Sequence, residues 1–433
     1  MAVIGALSGY CKRCCQILRR RTFTLFASLK TTVGKRFLIL YAATFLLILP
    51  VLFHGVNNSI YCMKTDFAGN EAKERMIREN TQRLRFAEDY FSFLNRSHGM
   101  RNWFSGNDTA VSSERQLHVA IIIITVSRNR HKVDLYEPRY LTQVVWKFLS
   151  QLDVARANSY PHRMSLAVCN VDHIPGSYEE AKNVAQFIRT FNRFSYTHFS
   201  MVHPLEKEKQ DYVFCLNASL ADRPDYVMLV EDDALPNDDF LGVLRHTIDT
   251  RLERRLVHGA LHHPSDKNIA YVKFYHPERL LSFLSLERDR IPELIAFATI
   301  LATLLNIVYV IVFRTGSFRV VWMNLFIYSL LVAATIGRSN LSELRRFLSP
   351  NFYIFTPAPS CCTPALLFPF SGAIQVCDYL SAATCDRNYG KDSILDQMLI
   401  ERHMLAYLVQ PNTFTHIGLY SAIRERIVDP FLV

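Results

Sequence analysis

Three long, uncharged apolar runs constrain this 433-residue chain more than any other feature of its sequence. They cover residues 37–56, 294–313 and 320–337, and the six residues RTGSFR separate the second run from the third. A helix of about 20 apolar residues spans the hydrocarbon core of a bilayer, whereas a buried helix of a soluble core is usually shorter. The sequence therefore predicts an N-terminal membrane anchor and, later in the chain, a transmembrane helical hairpin.

Positive charge is concentrated before the first run. The formal net charge is +10, and residues 1–36 carry eight Lys and Arg residues and no Asp or Glu. Basic residues beside a membrane span favour the cytosolic side, and Arg314 and Arg319 repeat this signal between the two later spans. We therefore expect a multi-pass protein with a cytosolic N-terminus, in which the segments after the first span and after the hairpin are luminal. The net positive charge is then explained by membrane topology, and no nucleic-acid partner is expected.

These signals predict an order of segments along the chain. Seven of the ten cysteines follow the first run, where an oxidising lumen would let disulfides persist, although the sequence leaves their pairing open. The sequons at Asn57, Asn95, Asn107, Asn217 and Asn340 fall on the same predicted side. The expected segments are a cytosolic basic tail (1–36), a transmembrane anchor (37–56), a luminal stem (57–114), a catalytic domain in two parts (115–292 and 339–433) and the hairpin inserted between them (293–338).

Beyond the predicted stem, strand and helix patterns alternate. Residues 119–126, 163–172 and 225–233 are β-rich runs that end in polar residues, and helical periodicity fills the segments between them. This alternation predicts an α/β fold with a largely parallel sheet. Ligands of such sheets bind beyond the carboxyl ends of the strands. The polar residues that follow these runs are therefore expected to line the functional site.

The third run raises a specific question, because PDYVMLVEDDALP passes from apolar residues directly into Glu231, Asp232 and Asp233. Adjacent carboxylates repel one another and resist desolvation unless a cation lies among them. The chain contains no phosphate-binding loop, EF-hand or His-Glu-x-x-His pattern. Two interpretations remain: a solvated acidic loop, or an acidic strand end that holds Mn²⁺, or Mg²⁺, against the diphosphate of a sugar nucleotide. The position of the acids directly after a strand, in a membrane-anchored luminal protein, favours the metal site.

Six segments carry a resemblance to a known family. They are EKEKQDYVFCLNASL, PDYVMLVEDDALP, YVKFYHPERL, CCTPALLFP, GKDSILDQ and QPNTFTHIGLYS. Through these segments the chain resembles, over most of its length after the stem, the Golgi N-acetylgalactosamine transferases that modify glycosylphosphatidylinositol (GPI) anchors, a family of post-GPI-attachment factors. The resemblance implies a GT-A-type, Rossmann-like mixed sheet and a UDP-N-acetylgalactosamine (UDP-GalNAc) donor. It also implies inverting transfer to the first mannose of GPI-anchored proteins in the Golgi membrane.

The resemblance also implies roles for residues at the strand ends. The acidic trio matches the family's variant of Asp-x-Asp, with Asp233 as the most direct metal ligand and a catalytic residue. Glu231 and His416 would complete the metal site. The residues expected to bind the donor are Thr125, Val126, Arg128, Glu231, Asp232, Thr363 and Lys391.

Inverting transfer requires one base that deprotonates the acceptor hydroxyl. Asp392 in GKDSILDQ is the candidate catalytic base, although a carboxylate that follows a glycine and opens a helical run is also a candidate N-cap. Lys391 is a candidate phosphate contact. Thr363, in CCTPALLFP, is expected in the wall of the donor or acceptor site, and the adjacent cysteines are expected to be structural rather than catalytic.

Two other functions remain open at this stage. The first is an N-acetylglucosaminyltransferase of the N-glycan-branching kind, against which the inserted hairpin argues because it is unusual among glycosyltransferases. The second is a non-catalytic escort that binds GPI, against which the presence of the acidic trio, Asp392 and His416 argues.

Overall fold

The computed structural model describes residues 32–56, 59–62, 66–96, 116–128, 136–196, 202–253, 268–283, 290–314, 318–421 and 426–427. The chain divides into two compact units. The first comprises residues 1–63 and 281–341, and the second comprises residues 64–280 and 342–433. Most of the predicted cytosolic tail, residues 1–31, lies outside the described residues.

Helices occur in both units. In chain order they are α1 (Thr32–Ala42), α2 (Leu49–Phe53), α3 (Asp66–Arg96), α4 (Tyr140–Ala157), α5 (Glu179–Val184), α6 (Pro204–Ser219), α7 (Phe240–His246), α8 (Arg290–Phe313), α9 (Phe318–Ile336), α10 (Arg338–Glu343), α11 (Phe370–Ala382) and α12 (Lys391–Glu401). A π-helical segment, Ala43–Ile48, joins α1 to α2, and a second one, Thr247–Leu252, extends α7.

The described strands all belong to the second unit. They are β1 (His118–Thr125), β2 (Arg163–Asn170), β3 (Arg189–Asn192), β4 (Tyr226–Glu231), β5 (Ala234–Pro236), β6 (Ile269–Lys273), β7 (Ile354–Pro357), β8 (Ala365–Pro369), β9 (Leu405–Gln410), β10 (Phe414–His416), β11 (Tyr420–Ser421) and β12 (Arg426–Ile427).

The first unit contains helices that are long and apolar enough to cross a membrane. Among the described residues these are Val33–Phe53, Arg290–Phe313 and Phe318–Ile336. Helices α8 and α9 pack through small residues, since Ala302 and Ala333 are fully buried, and Trp322 Nε1 donates to Thr303 Oγ1 at 3.0 Å. Small side chains and interhelical hydrogen bonds are typical of helix packing in lipid. These helices indicate a membrane protein and agree with the three apolar runs of the sequence.

The second unit is built on an eight-stranded mixed sheet, which confirms the predicted α/β fold. Its strand order is β3-β2-β1-β4-β8-β6-β9-β7. Strand β1 lies parallel to β2 and β4, and β8 lies antiparallel to β4. The strand β1 is apolar at successive positions because both faces of the sheet are covered: Ile121 and Ile123 enter one core cluster and Ile122 enters the other.

Helix α3, inside the predicted stem, packs against α4 within this second unit. Arg83 Nε donates to Gln143 Oε1 at 2.8 Å, and the Tyr90 hydroxyl donates to Asp153 Oδ2 at 2.6 Å. A disulfide joins Cys169 of β2 to Cys215 of α6, with a Cα–Cα distance of 5.9 Å. This bond supplies one of the pairings that the sequence left open.

The carboxyl ends of β1 and β4 meet at one edge of the sheet. The Asp232 amide donates to the Ile124 carbonyl at 3.1 Å, and the Glu231 amide donates to the Pro364 carbonyl at 2.8 Å. Strand β10 pairs antiparallel with β5 and places His416 opposite Ala234. The acidic trio therefore has residues of β1, of the segment before β8 and of β10 around it, although these elements are far apart in the chain.

Candidate active site

Asp232 is buried, and both of its carboxylate oxygens are occupied by residues from the end of β1. Thr125 Oγ1 donates to Asp232 Oδ2 at 2.7 Å, and Arg128 Nη2 forms an ion pair with Asp232 Oδ1. Tyr178 forms a further hydrogen bond with Thr125, at 2.8 Å. Burial raises the pKa of the Asp232 carboxyl, and the Arg128 charge opposes this shift. Asp232 is therefore a buried support for Arg128 and for the end of β1.

Asp233 shares the same guanidinium but keeps one oxygen without a partner. Arg128 Nη1 lies 3.0 Å from Asp233 Oδ2, whereas the buried Oδ1 has no hydrogen-bond partner. Burial alone would raise the pKa of Asp233, but the charges of Arg128 and His416 hold this pKa below its ordinary value. A buried carboxylate oxygen without a partner costs free energy unless a ligand completes it. This oxygen is the strongest indication of a cation at the strand end.

His416 and Gly418 enclose the Asp233 carboxylate from the C-terminal side. His416 Nε2 lies 3.6 Å from Asp233 Oδ2, and the buried His416 Nδ1 has no hydrogen-bond partner. A Cβ added at Gly418 would lie 2.3 Å from Asp233 Oδ2 and 2.9 Å from His416 Cε1. The glycine is required because only a residue without a side chain leaves this space for the carboxylate and the imidazole.

Glu231 has different partners from the other two acids. The Lys391 ammonium lies 3.4 Å from Glu231 Oε1 and also pairs with Glu208. The Thr363 hydroxyl lies 3.4 Å from the same Oε1 and can donate its one proton either there or to Asp392. Burial raises the pKa of Glu231, and the Lys391 charge opposes the shift. Burial would lower the pKa of Lys391, but Glu208, Glu231 and Asp392 hold it well above its ordinary value.

Asp392 lies in the first turn of α12 and faces the loop before β8. The Cys362 amide donates to Asp392 Oδ2 at 2.8 Å, and the Thr363 hydroxyl lies 3.4 Å from Oδ1. Gly390, not Asp392, is the N-cap of the helix. Asp392 lines a cleft of about 280 Å³ whose walls also include Glu208, Cys361 and Lys391.

The structure brings together most of the residues that the sequence singled out. Thr125, Arg128, Asp232, Asp233 and His416 form one connected group. A second group joins Glu231, Thr363, Lys391 and Asp392. Val126 is partly buried and packs against the hydrophobic core instead of joining either group.

Three participants were not anticipated from the sequence. Tyr178 hydrogen-bonds Thr125, Glu208 neutralises Lys391, and Gly418 leaves space for Asp233. Gly418 stands two residues after His416, which is the one local signal that could have identified it. Tyr178 and Glu208 lie on segments whose place at the site depends on the tertiary fold.

The two groups differ in what they can hold. Asp233 and His416 present a carboxylate oxygen and an imidazole nitrogen without partners. Carboxylate oxygens suit Mn²⁺ and Mg²⁺, and imidazole nitrogens bind divalent transition metals. Among the described residues, the three potential ligands whose atoms all lie within 4.8 Å of one another are Cys361, Cys362 and Asp392, and a disulfide joins the two cysteines. Asp233 and His416 therefore fit a divalent cation better than this second cluster does.

The close approach of Gly418 to Asp233 leads to a stability prediction. Gly418→Ala should lower the free energy of unfolding by about 1–3 kcal/mol, because the added methyl must displace a carboxylate that Arg128 holds in place. Gly176→Ala is the matched control, since no atom lies within 4 Å of a Cβ built there. Chemical denaturation of the purified variants measures the difference, and equal midpoints for the two variants would contradict the packing described for Gly418.

Comparison with protein families identifies the chain. The model of the family described as GPI-N-acetylgalactosamine transferase PGAP4 matches residues 119–415, which is more than half of the sequence. The match begins in β1 and ends in β10, so it includes the acidic trio, the apolar pair α8 and α9, and Asp392. The chain therefore belongs to the GPI-N-acetylgalactosamine transferase PGAP4 family of glycosyltransferases.

Proposed function

We propose that this protein transfers N-acetylgalactosamine from UDP-GalNAc to the first mannose of the GPI glycan on GPI-anchored proteins. The transfer would invert the donor's α-linkage to a β-linkage, with Mn²⁺ or Mg²⁺ assisting. Membership of the GPI-N-acetylgalactosamine transferase family supports the proposed identity of the transferred sugar and of the acceptor. The sheet is mixed, and the acids lie at the end of its central strand β4. This arrangement supports the proposal that the donor is a sugar nucleotide bound in a GT-A-type site.

The observation that carries the proposal is that Asp233 Oδ1 and His416 Nδ1 are both buried without a hydrogen-bond partner, on two side chains whose other atoms, Oδ2 and Nε2, lie 3.6 Å apart. Arg128 and Lys391 are the basic side chains that pair with the three consecutive carboxylates, and Lys391 is shared with Glu208. A divalent cation would be held by Asp233 and His416. Glu231 is the less direct of the three proposed ligands, because its Oε1 already accepts from Thr363 and Lys391.

A bound cation would supply charge stabilisation to the departing diphosphate. The chain's own residues would position the donor around it. Arg128 is fixed by Asp232 on one side and donates to the Tyr420 carbonyl at 2.8 Å, so its charge stays at the end of β1. Lys391 forms ion pairs with Glu208 and Glu231, and it would be the second positively charged group that contacts the phosphates of the donor. Thr125 and Val126 would border the uridine.

Asp392 would act as the general base. Its carboxylate lines an open cleft and is held by the Cys362 amide and the Thr363 hydroxyl. A carboxylate in this position would accept the proton of the acceptor mannose hydroxyl as that oxygen attacks the anomeric carbon of the donor. Thr363 contacts both Asp392 and Glu231, and it would therefore link the base to the metal-bearing strand end.

The membrane helices are consistent with a lipid-linked acceptor. A GPI anchor holds its glycan at a bilayer surface, and the part of this chain that the structure describes includes three helices that are long and apolar enough to cross one. We propose a Golgi membrane location with the N-terminus in the cytosol and the catalytic unit in the lumen. The basic residues before α1 and between α8 and α9 support this orientation.

The proposed donor and acceptor can be tested together on the detergent-purified full chain. With Mn²⁺ and a GPI-anchored acceptor, we expect UDP-GalNAc to support transfer at least about tenfold better than UDP-N-acetylglucosamine, because the sugar site must recognise the hydroxyl at C4. The product is measured by mass spectrometry of the released glycan.

The other functions considered predict different outcomes of the same assay. Transfer of N-acetylglucosamine to an N-glycan acceptor would identify a branching enzyme. Binding of the GPI-anchored protein without consumption of any UDP-sugar would identify an escort. Either result would overturn the proposal.

The role of Asp392 has its own test. Asp392→Asn should lower kcat for transfer by about 10²–10⁴-fold, because the amide cannot accept the hydroxyl proton, while UDP binding stays unchanged. Asp396→Asn is the matched control, since Asp396 lies one turn further along α12 and hydrogen-bonds Ser360. Steady-state kinetics separate the two. A loss of less than threefold for Asp392→Asn would remove Asp392 from the reaction.

A further inference from the structure

The loop between β7 and β8 contains an unusual pair of residues. A disulfide joins the adjacent residues Cys361 and Cys362. Their φ angles are 73° and 67°, so both lie in the left-handed region that L-residues rarely adopt. Neither residue is a glycine, and consecutive non-glycine residues in this conformation are expected only where the surroundings hold them there. The ring that the disulfide closes across one peptide unit is such a constraint.

This loop contacts the proposed base through both of its carboxylate oxygens. The Cys362 amide, whose direction is set by the left-handed backbone, donates to Asp392 Oδ2 at 2.8 Å. The next side chain, Thr363, places its hydroxyl 3.4 Å from Oδ1. The amide hydrogen bond fixes one carboxylate oxygen, and the neighbouring hydroxyl limits the space into which the other can rotate.

A buried lysine anchors the other side of the loop. The ammonium of Lys273, at the end of β6, donates to the carbonyls of Pro359 and Cys361 at 2.8 and 2.7 Å. Lys273 is only 2% exposed. Burial lowers the pKa of Lys273 to about 8, so the ammonium remains largely protonated at neutral pH and can donate both bonds. The loop is thus fixed from the sheet below and by its own disulfide.

We propose that the Cys361–Cys362 disulfide is a positioning element for the general base: it holds the left-handed backbone in which the Cys362 amide orients Asp392 for catalysis. The proposal rests on the proposed function, in which Asp392 accepts the proton of the acceptor hydroxyl. Neither sulfur reacts with the substrate. The cysteines act through Asp392, and their loss therefore changes turnover rather than donor binding.

Two double variants separate the backbone conformation from the sulfur atoms. Cys361→Ala/Cys362→Ala removes the disulfide and leaves two residues that disfavour positive φ, so kcat should fall at least tenfold with KM for the donor within about twofold. Cys361→Gly/Cys362→Gly also removes the disulfide, but glycine adopts positive φ freely. The kcat of this variant should be at least fivefold higher than that of the Ala–Ala variant. Wild-type turnover in the Ala–Ala variant, or no recovery in the Gly–Gly variant, would overturn the proposal.

A double-mutant cycle distinguishes positioning of Asp392 from general damage to the fold. In the Asp392→Asn background the base is already lost, so Ala–Ala should reduce the residual rate by less than twofold. An equal tenfold loss in both backgrounds would contradict the positioning role. Full activity of Asp392→Asn by itself would instead refute the assignment of the base, so the two failures are distinguishable.

Reduction of the disulfide gives an independent readout on the wild-type chain. A water-soluble phosphine cleaves the S–S bond to two thiols and is itself oxidised to the phosphine oxide with oxygen from water. Wild-type kcat should fall toward the Ala–Ala value, whereas the Gly–Gly variant should not respond. The Gly–Gly variant still contains Cys169–Cys215, so an equal loss in both proteins would assign the effect to that bond and contradict the proposal.

Discussion

Arg128 lies between two buried, consecutive carboxylates, and the organisation of the site depends on this ion-paired group. Its two terminal nitrogens pair with Asp232 and Asp233, and its guanidinium lies over the Tyr140 ring at 4.8 Å. Removing one partner from a buried ion pair costs about 3–5 kcal/mol, because the remaining charge is left without compensation. The Arg128 charge lowers the pKa of both carboxyls, against the effect of burial. With Arg128, Asp232 is satisfied and Asp233 keeps one oxygen for a ligand.

The same strand end connects segments from both sides of the inserted apolar helices. Arg128 and the acids precede α8 and α9 in the chain, whereas Thr363, Asp392 and His416 follow them. The sheet makes this assembly possible, because β4 pairs with β8 and β5 pairs with β10. An insertion of two membrane-length helices therefore leaves the topology of the catalytic unit intact, since both flanks of the insertion belong to that unit.

The sequence predicted the features that depend on local pattern: the apolar helices, the buried strands β1, β2 and β4, and the acids at the end of β4. It could not predict which partner each acid takes, because Arg128 and Lys391 reach the trio only through the tertiary fold. The sequence suggested a cation among the acids, and the protein itself provides part of that charge. The left-handed conformation of Cys361 and Cys362 was also beyond prediction, because adjacent cysteines have no intrinsic preference for positive φ.

The central claim is that the acidic strand end binds a divalent cation together with a nucleoside diphosphate through Asp233. Calorimetric titration of UDP into the purified chain, with and without Mn²⁺, measures this coupling directly. We predict that Mn²⁺ tightens UDP binding at least about tenfold, equivalent to about 1.4 kcal/mol, and that Asp233→Asn removes this gain. If the wild-type chain binds UDP equally well with and without Mn²⁺, or if Asp233→Asn keeps the full gain, the metal-site account is contradicted.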